Sequence, residues 1–351
     1  MGGVCNTVAF LLIHHLKDGA PNIWAVVRDY VQKWTWPAAI QFNATKSDLF
    51  SEERIRSYTK AQQVKCSASE AMSLLPVLAI FVLTVGKRLA PHAAPCDAFL
   101  ALVDTVEALQ VSMHGVTTPE YLRSCIHTFF TACEDAQWQE HFVPKFHWMV
   151  HFPTALEKWG FCPSCWVHER KHKMVKRYAD DIQNTKMYSR SVLSEIVSHQ
   201  LHVVTMPKAF DLSSRLIEPH KANARMHSWA QSALNMDDAT DIYSSTSAYL
   251  ASRAVCSTAD VALIKSQDGV NFVAGQIWFL ASIDDISFAL VSLWGLVSYD
   301  PSFGFATWRM ADNPSLVELG SLMTPVVWSE VNGTARTLIP FEYRGLRAAR
   351  M

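Results

Sequence analysis

The apolar residues of this 351-residue chain change their spacing near residue 253, and this change limits the possible folds more than any other feature. Before that point they recur every three or four residues, which is typical of helices with one buried face. After it, short runs rich in Val, Ile, Phe and Trp are separated by turn residues, among them the hairpin signal Asn332-Gly333. We therefore predict an α+β protein in which the helices precede the strands.

The change in spacing divides the chain into three predicted regions. We predict a mostly helical region over 1–205, a linker with helical pieces over 206–252 and a β-rich module over 253–346. Five short antiparallel strands in the last part predict a small barrel of the SH3, Tudor or BAH-like type. Trp278, Trp294, Trp308 and Trp328 are candidates for a cation-binding cage there, although such residues are more often core.

The helices are predicted from caps, prolines and apolar stripes. Ser67 and Glu70 form a capping box at the start of an apolar helix that runs to about Lys87. The other predicted helices cover 4–16, 21–34, 46–58, 95–113, 119–138, 147–160 and 187–204, and one more carries Glu169 and ends near Ile182.

Composition limits the location and the partners. The net charge of −1 gives no general attraction to nucleic acid, so any basic surface must be local. Eight scattered Cys without a signal peptide indicate reduced thiols in an intracellular protein. The apolar run from Leu74 to Gly86 is too short to span a bilayer and contains Pro76. We expect no membrane partner.

A metal-binding pattern lies in the second half of the helical region. His147 and His151 are four residues apart, and Cys162 and Cys165 have the C-x2-C spacing of a zinc knuckle. Two His and two Cys complete a tetrahedral zinc site, so we predict structural zinc here. Two alternatives stay open: the His pair has partners elsewhere, or all four residues are ordinary helix and turn residues.

The next residues contain the H-E-x-x-H pattern of zinc proteases, formed by His168, Glu169 and His172. Its middle positions hold Arg170 and Lys171, and cations there weaken binding of a metal dication. The pattern equally describes a solvated helix. A zinc metalloprotease therefore remains only as an alternative.

The sequence P-K-F-H-x3-H, then a Gly, then H-E-R-K-H-K-x2-K-R-Y, then an Asn, resembles the last catalytic segment of CACTA-like DNA transposases. Lys65 to Glu70, KCSASE, strengthens the likeness to transposon-derived reading frames, and the match covers roughly 60–200. The resemblance implies part of an RNase H-like fold with a helical insertion. It makes His147 and His151 the paired histidines and Glu169 the third of three carboxylates.

The same resemblance implies a function. Basic residues around Glu169 would contact DNA phosphates, namely Arg170, Lys171, Lys173, Lys176 and Arg177. In the related enzymes the second acid precedes a segment like Gly2 to Asn6 and the first lies further upstream, so we expect both before Met1. Asp97, Asp104 and Asp135 lie in or beside predicted helices and do not replace them.

We therefore predict a transposase-derived, truncated, nuclear DNA-binding protein that is catalytically incomplete alone. Magnesium or manganese would bind only where another transposase polypeptide completes the site. A non-catalytic chromatin- or DNA-binding protein is the main alternative, and the zinc metalloprotease is the other.

Overall fold

The protein is described by a computed structural model that covers residues 2–112, 115–162, 187–205, 213–224, 227–228, 241–266, 271–283, 286–312, 314–345 and 347–348. It is an α+β protein, as predicted. The described helices are α1 (Gly2–Leu16), α2 (Ile23–Gln32), α3 (Phe42–Thr45), α4 (Glu52–Ala61), α5 (Ala68–Phe81), α6 (Lys87–Leu89), α7 (Ala94–Ser112), α8 (Pro119–Asp135), α9 (Pro144–Met149), α10 (Phe152–Trp159) and α11 (Tyr188–Thr205).

Helix α5 lies at the centre of the helical layer. Its capping box is formed as predicted: the Ser67 hydroxyl accepts from the Glu70 N–H, and the Glu70 carboxylate accepts from the Ser67 N–H. The helix packs against α1, α2 and α7. By length and composition Ala68–Leu89 is apolar enough to cross a membrane, yet half of its most apolar window is buried within this fold.

The strands occupy most of the chain after residue 214. The described strands are β1 (Trp34–Thr35), β2 (Arg215–Leu216), β3 (His220–Lys221), β4 (Ile242–Ser245), β5 (Ser247–Tyr249), β6 (Val255–Ser257), β7 (Val261–Lys265), β8 (Asn271–Ile283), β9 (Ile286–Asp300), β10 (Phe305–Arg309), β11 (Pro314–Glu318), β12 (Leu322–Val331), β13 (Thr334–Leu338) and β14 (Arg347–Ala348). The predicted hairpin is present, because Asn332 and Gly333 both have positive φ between β12 and β13.

The predicted small barrel of SH3, Tudor or BAH-like type is not confirmed, because most of the described strands belong to one larger antiparallel sheet. Its strand order is β11-β9-β10-β13-β12-β7-β8-β4-β3, with β1 added on β12, β14 on β8 and a further pairing between β8 and β9. Strands β8 and β9 are 13 and 15 residues long, so they extend beyond a compact barrel and pair with additional strands. Strands β11 and β3 lie at the two ends of the described order.

The segment predicted as a linker, 206–252, supplies strands β2 to β5. Strand β4 pairs with the far end of β8, and β2, β5 and β6 form a separate three-stranded sheet. The strands therefore begin well before residue 253. Short polar strands such as Ile242–Ser245 carry little alternation, which is why the sequence pattern did not reveal them.

Contacts between residues that are distant in the chain join the helical layer to the sheet. Strand β1 pairs with Ser329 and Trp328 of β12. The buried Asp260 carboxylate accepts hydrogen bonds from the Ala38 and Ser257 N–H groups, both at 2.8 Å. Arg344 forms an ion pair with Glu107 of α7. Leu338 of β13 also belongs to the apolar core of the helices.

The proposed tryptophan cage does not form from the residues named for it. Trp294 and Trp308 are 1% and 0% exposed, so they are core residues. The Trp308 indole N–H donates to Thr337 Oγ1 at 2.8 Å inside the sheet. Trp328 packs on Trp294, and Trp278 is exposed on β8.

Candidate metal and nucleic-acid site

His147 and His151 lie where the chain passes from α9 to α10. The sequence predicted one helix here, but the helix ends at Met149 and a new one begins at Phe152. Pro153 in the first turn of α10 explains the break, because proline has no N–H to continue the hydrogen bonds of α9. His151 is therefore the N-cap residue of α10 and does not share a helix with His147.

The two imidazoles nevertheless meet at the surface. Their Nε2 atoms are 3.3 Å apart, and the rings lie edge to face with centroids 5.0 Å apart. Without a metal, this distance fits a hydrogen bond from one protonated to one unprotonated nitrogen. Two nitrogens about 2.05 Å from a tetrahedral zinc ion are separated by roughly 3.3–3.4 Å. The pair thus has the spacing of two zinc ligands.

Buried neighbours fix the position of the pair. Phe146 and Met149 anchor α9 in the helical core, and Leu156 anchors α10. The Phe146 ring stacks on Phe142 with centroids 4.8 Å apart. Because these anchors flank both histidines, the imidazoles are held on short, well-packed helices rather than on a long loop.

Cys162 follows the left-handed Gly160 that ends α10, and it is half-buried. Its Sγ contacts the Phe152 carbonyl oxygen at 3.6 Å. Burial raises the pKa of this thiol, although a hydrogen bond with Ser112 acts in the opposite direction. To ligate zinc, Cys162 must give up the Phe152 contact and lose its proton.

The remaining predicted site residues lie outside the described part of the chain. They are Cys165, His168, Glu169, Arg170, Lys171, His172, Lys173, Lys176 and Arg177. Among the residues that are described, no group of three or more His, Cys, Asp or Glu side chains is arranged to hold a metal ion. The geometry therefore brings together His147 and His151 and leaves their further ligands as a prediction.

The surface beside the His pair combines aromatic and basic side chains. Trp148 and Trp159 are 57% and 53% exposed, which is unusual for tryptophan. Lys158 Nζ lies 5.8 Å from the Trp159 ring centroid, and Lys145 is exposed on α9. Indole faces stack on unpaired bases, and lysines contact phosphates, so this surface fits a single-stranded or distorted nucleic acid.

A second polar cluster was missed by the sequence reasoning. Glu107 of α7 and Arg344 near the C-terminus form a bidentate pair, with Asp104 one turn away on the same helix. The sequence does show Glu107 as a charged residue on the apolar helix α7. Its partner, Arg344, lies more than two hundred residues away and could not be inferred. Comparison of the chain with models of known protein families, with curated proteins and with solved structures gives no match.

Proposed function

We propose that this chain is a transposase-derived, nuclear nucleic-acid-binding protein in which His147 and His151 help to hold a structural zinc ion. The observation that carries the proposal is the 3.3 Å approach of the two Nε2 atoms, on residues that precede the H-E-R-K-H-K segment with α10 between them. Cys162 and Cys165 complete the proposed ligand set, and the first of them lies on the chain directly after α10.

Nucleic acid binds, in this proposal, along the surface of α9 and α10 and the basic segment that follows. Exposed Trp148 and Trp159 supply stacking faces, and Lys145 and Lys158 supply charge. The phosphate contacts proposed for Arg170, Lys171, Lys173, Lys176 and Arg177 add a local positive charge that the net charge of −1 does not predict.

We also propose that the chain does not cut DNA alone. Asp97 is paired with Lys87 at 2.9 Å, and Asp104 lies seven residues further along α7. Seven residues of helix separate two carboxylates by about 10 Å along the axis, whereas the two metal ions of such a site are only about 4 Å apart. In this proposal Asp97 and Asp104 are not the two carboxylates that accompany Glu169, and a second polypeptide would supply them.

An RNase H-like fold for the helical region is part of the same proposal. The resemblance relates the helices within 60–200 to the helical insertion and last catalytic helix of an RNase H-like transposase. Glu169 would then stand for the third carboxylate, and magnesium or manganese would bind only beside a second polypeptide that supplies the other two.

Nucleic-acid binding is tested by fluorescence anisotropy with labelled single-stranded and duplex DNA over a range of salt concentrations. We expect affinity to fall steeply with salt. The double substitution Lys173→Glu, Lys176→Glu should weaken binding for all sequences alike. Trp148→Ala should weaken single-stranded binding by about tenfold. Trp278→Ala, which removes another exposed indole, from β8, is the matched control. The proposed surface would be contradicted if neither the Lys173→Glu, Lys176→Glu double substitution nor Trp148→Ala affected binding.

A further inference from the structure

A groove lies between the helical layer and the sheet, and it is lined by other residues than those of the proposed nucleic-acid surface. Its volume is about 420 Å³, which falls in the range of small-molecule sites. Helices α5 and α7 form one wall, and β12 with the end of β13 forms the other. The groove is thus a contact region between two parts of the protein, where binding sites commonly occur.

Three charged groups of the groove leave one net negative charge. The Arg344 guanidinium donates to both Glu107 oxygens, at 2.7 and 2.6 Å, and through Nε to the Ile339 carbonyl oxygen at 3.1 Å. Glu107 and Arg344 therefore neutralise each other. Asp104 also lines the groove, and within the described structure its carboxylate has no hydrogen bond or ion pair.

The groups around Asp104 do not cancel this charge. Arg344 is the cation that acts on it, and Arg344 is already paired. Tyr121 and Cys125 of α8 are the other titratable neighbours, and both stay neutral because burial raises the pKa of each, that of Tyr121 to about 12. Partial burial in the groove raises the pKa of Asp104, and the nearby charge of Arg344 acts in the opposite direction.

The rest of the lining is mainly apolar. Ile40 and Phe303 lie at the exposed rim, at 40% and 42% exposure. Leu100 and Phe341 line the groove further in. An apolar groove with one uncompensated carboxylate favours a ligand with an apolar stem and one positive end, because the stem displaces water and the cation pairs with the carboxylate.

We propose that this groove binds an organic cation, a protonated amine on a short apolar stem, with Asp104 as its counter-ion. The amine would be a free small molecule or the side chain of a lysine in a peptide. In either case the ammonium group donates to the Asp104 carboxylate, and the stem packs between the groove walls.

The test uses the full chain and four probes at neutral pH: hexylamine, hexan-1-ol, hexanoate and methylamine. Binding is followed by isothermal titration calorimetry and by saturation-transfer NMR. We expect hexylamine to bind at least about tenfold more tightly than hexan-1-ol, as a charge-assisted hydrogen bond implies. Methylamine lacks the stem and should bind more weakly than hexylamine. A lysine-containing peptide that competes with hexylamine identifies the peptide source, and one that does not compete identifies a small molecule.

Asp104→Asn is the central variant, because it removes the charge from a solvent-accessible side chain and spares the Glu107–Arg344 pair. It should reduce hexylamine binding by about tenfold or more. Asp135→Asn, an exposed acid at the end of α8 that does not line the groove, should bind as the natural chain does. The proposal is overturned if hexylamine shows no saturable binding, if hexanoate binds better, or if Asp104→Asn leaves hexylamine binding unchanged.

Discussion

Arg344 and Glu107 form a bidentate ion pair, with N–O distances of 2.7 and 2.6 Å, between the C-terminal end of the sheet and helix α7. The two side chains are 13% and 10% exposed, so the pair is largely removed from water. Gly304 makes room for it: its φ is +61°, and a Cβ atom at this position would collide with the Arg344 guanidinium. The contact links the helical layer to the last described strands.

Removing one partner of this pair should be strongly destabilising. Glu107→Gln leaves the Arg344 charge buried without a counter-ion, and we expect a loss of about 3–5 kcal/mol in the free energy of unfolding. The double variant Glu107→Leu, Arg344→Met should lose much less, because no charge is left buried. Urea denaturation measures both. Asp97→Asn, which breaks the exposed Lys87 pair, should cost about 1 kcal/mol or less and is the control. Equal losses in all three variants would contradict this account.

Asp260 should be the second strong contact between the two layers. Its buried carboxylate accepts from the Ala38 and Ser257 N–H groups, so Asp260→Ala removes the acceptor of two part-buried hydrogen bonds. We expect a loss of about 2–4 kcal/mol, measured by urea denaturation. Asp300→Ala removes a single exposed bond to the Ser302 N–H and should cost under about 1 kcal/mol. If the two variants were equally stable, Asp260 would not hold the layers together.

Stability should fall at alkaline pH because buried thiols resist ionisation. Burial raises the pKa of Cys256 from 9.0 to about 12 and that of Cys5 from 9.0 to about 11. Above pH 9 the unfolded chain releases these protons while the folded chain keeps them. Each thiol then lowers the free energy of unfolding by up to about 1.4 kcal/mol per pH unit, until the pH reaches the folded-state pKa.

Urea denaturation between pH 8 and 11 in reducing buffer measures this slope. Cys256→Ala should make the fall shallower by the contribution of one thiol. Val255→Ala, on the same strand and without a thiol, should keep the natural slope even if it lowers stability overall. A Cys256→Ala variant with the natural slope would show that this thiol is not held neutral.

Zinc binding should depend on the two histidines that meet at the α9–α10 junction. Purified protein should contain about one zinc ion per chain by elemental analysis. His147→Ala and His151→Ala should each lower that content, whereas His127→Ala, an exposed histidine on α8, should not. The double variant Cys162→Ser, Cys165→Ser tests the four-ligand version, which is wrong if the zinc content is then unchanged.

Strand cleavage should be absent when this chain acts alone. In assays of nicking and strand transfer with magnesium or manganese on transposon-end DNA, we expect no product above background. This expectation follows from our proposal that Glu169 corresponds to the third of three carboxylates that hold a pair of metal ions, and that another polypeptide supplies the other two. Robust cleavage that Glu169→Gln abolishes would show that acids within this chain complete the site.

Local features of the fold could be predicted from the sequence, and distant pairings could not. The Ser67–Glu70 capping box depends on neighbouring residues, and it is formed as expected. The Asn332-Gly333 turn is equally local. Trp34 was predicted as the last residue of a helix, whereas Trp34 and Thr35 form strand β1 by pairing with β12. Tertiary contact overrides local preference there.

Parts of the candidate sites could likewise be predicted from the sequence, and parts could not. Spacing alone identified His147 and His151, and their side chains do meet, although the single helix expected to align them is interrupted. The groove around Asp104 could not be foreseen, since its walls come from α5, α7, β12 and the residues after β13. Only the folded chain brings these segments together.

The pairing of β1 with β12 has a consequence for synthesis on the ribosome. Trp34 and Thr35 leave the ribosome long before Ser329 and Trp328, since about 300 residues separate them. During that interval the nascent helices lack Leu338 and other residues of their own core. The apolar surface that these residues cover stays exposed until β12 and β13 have been made, so we expect newly made chains to depend on chaperones.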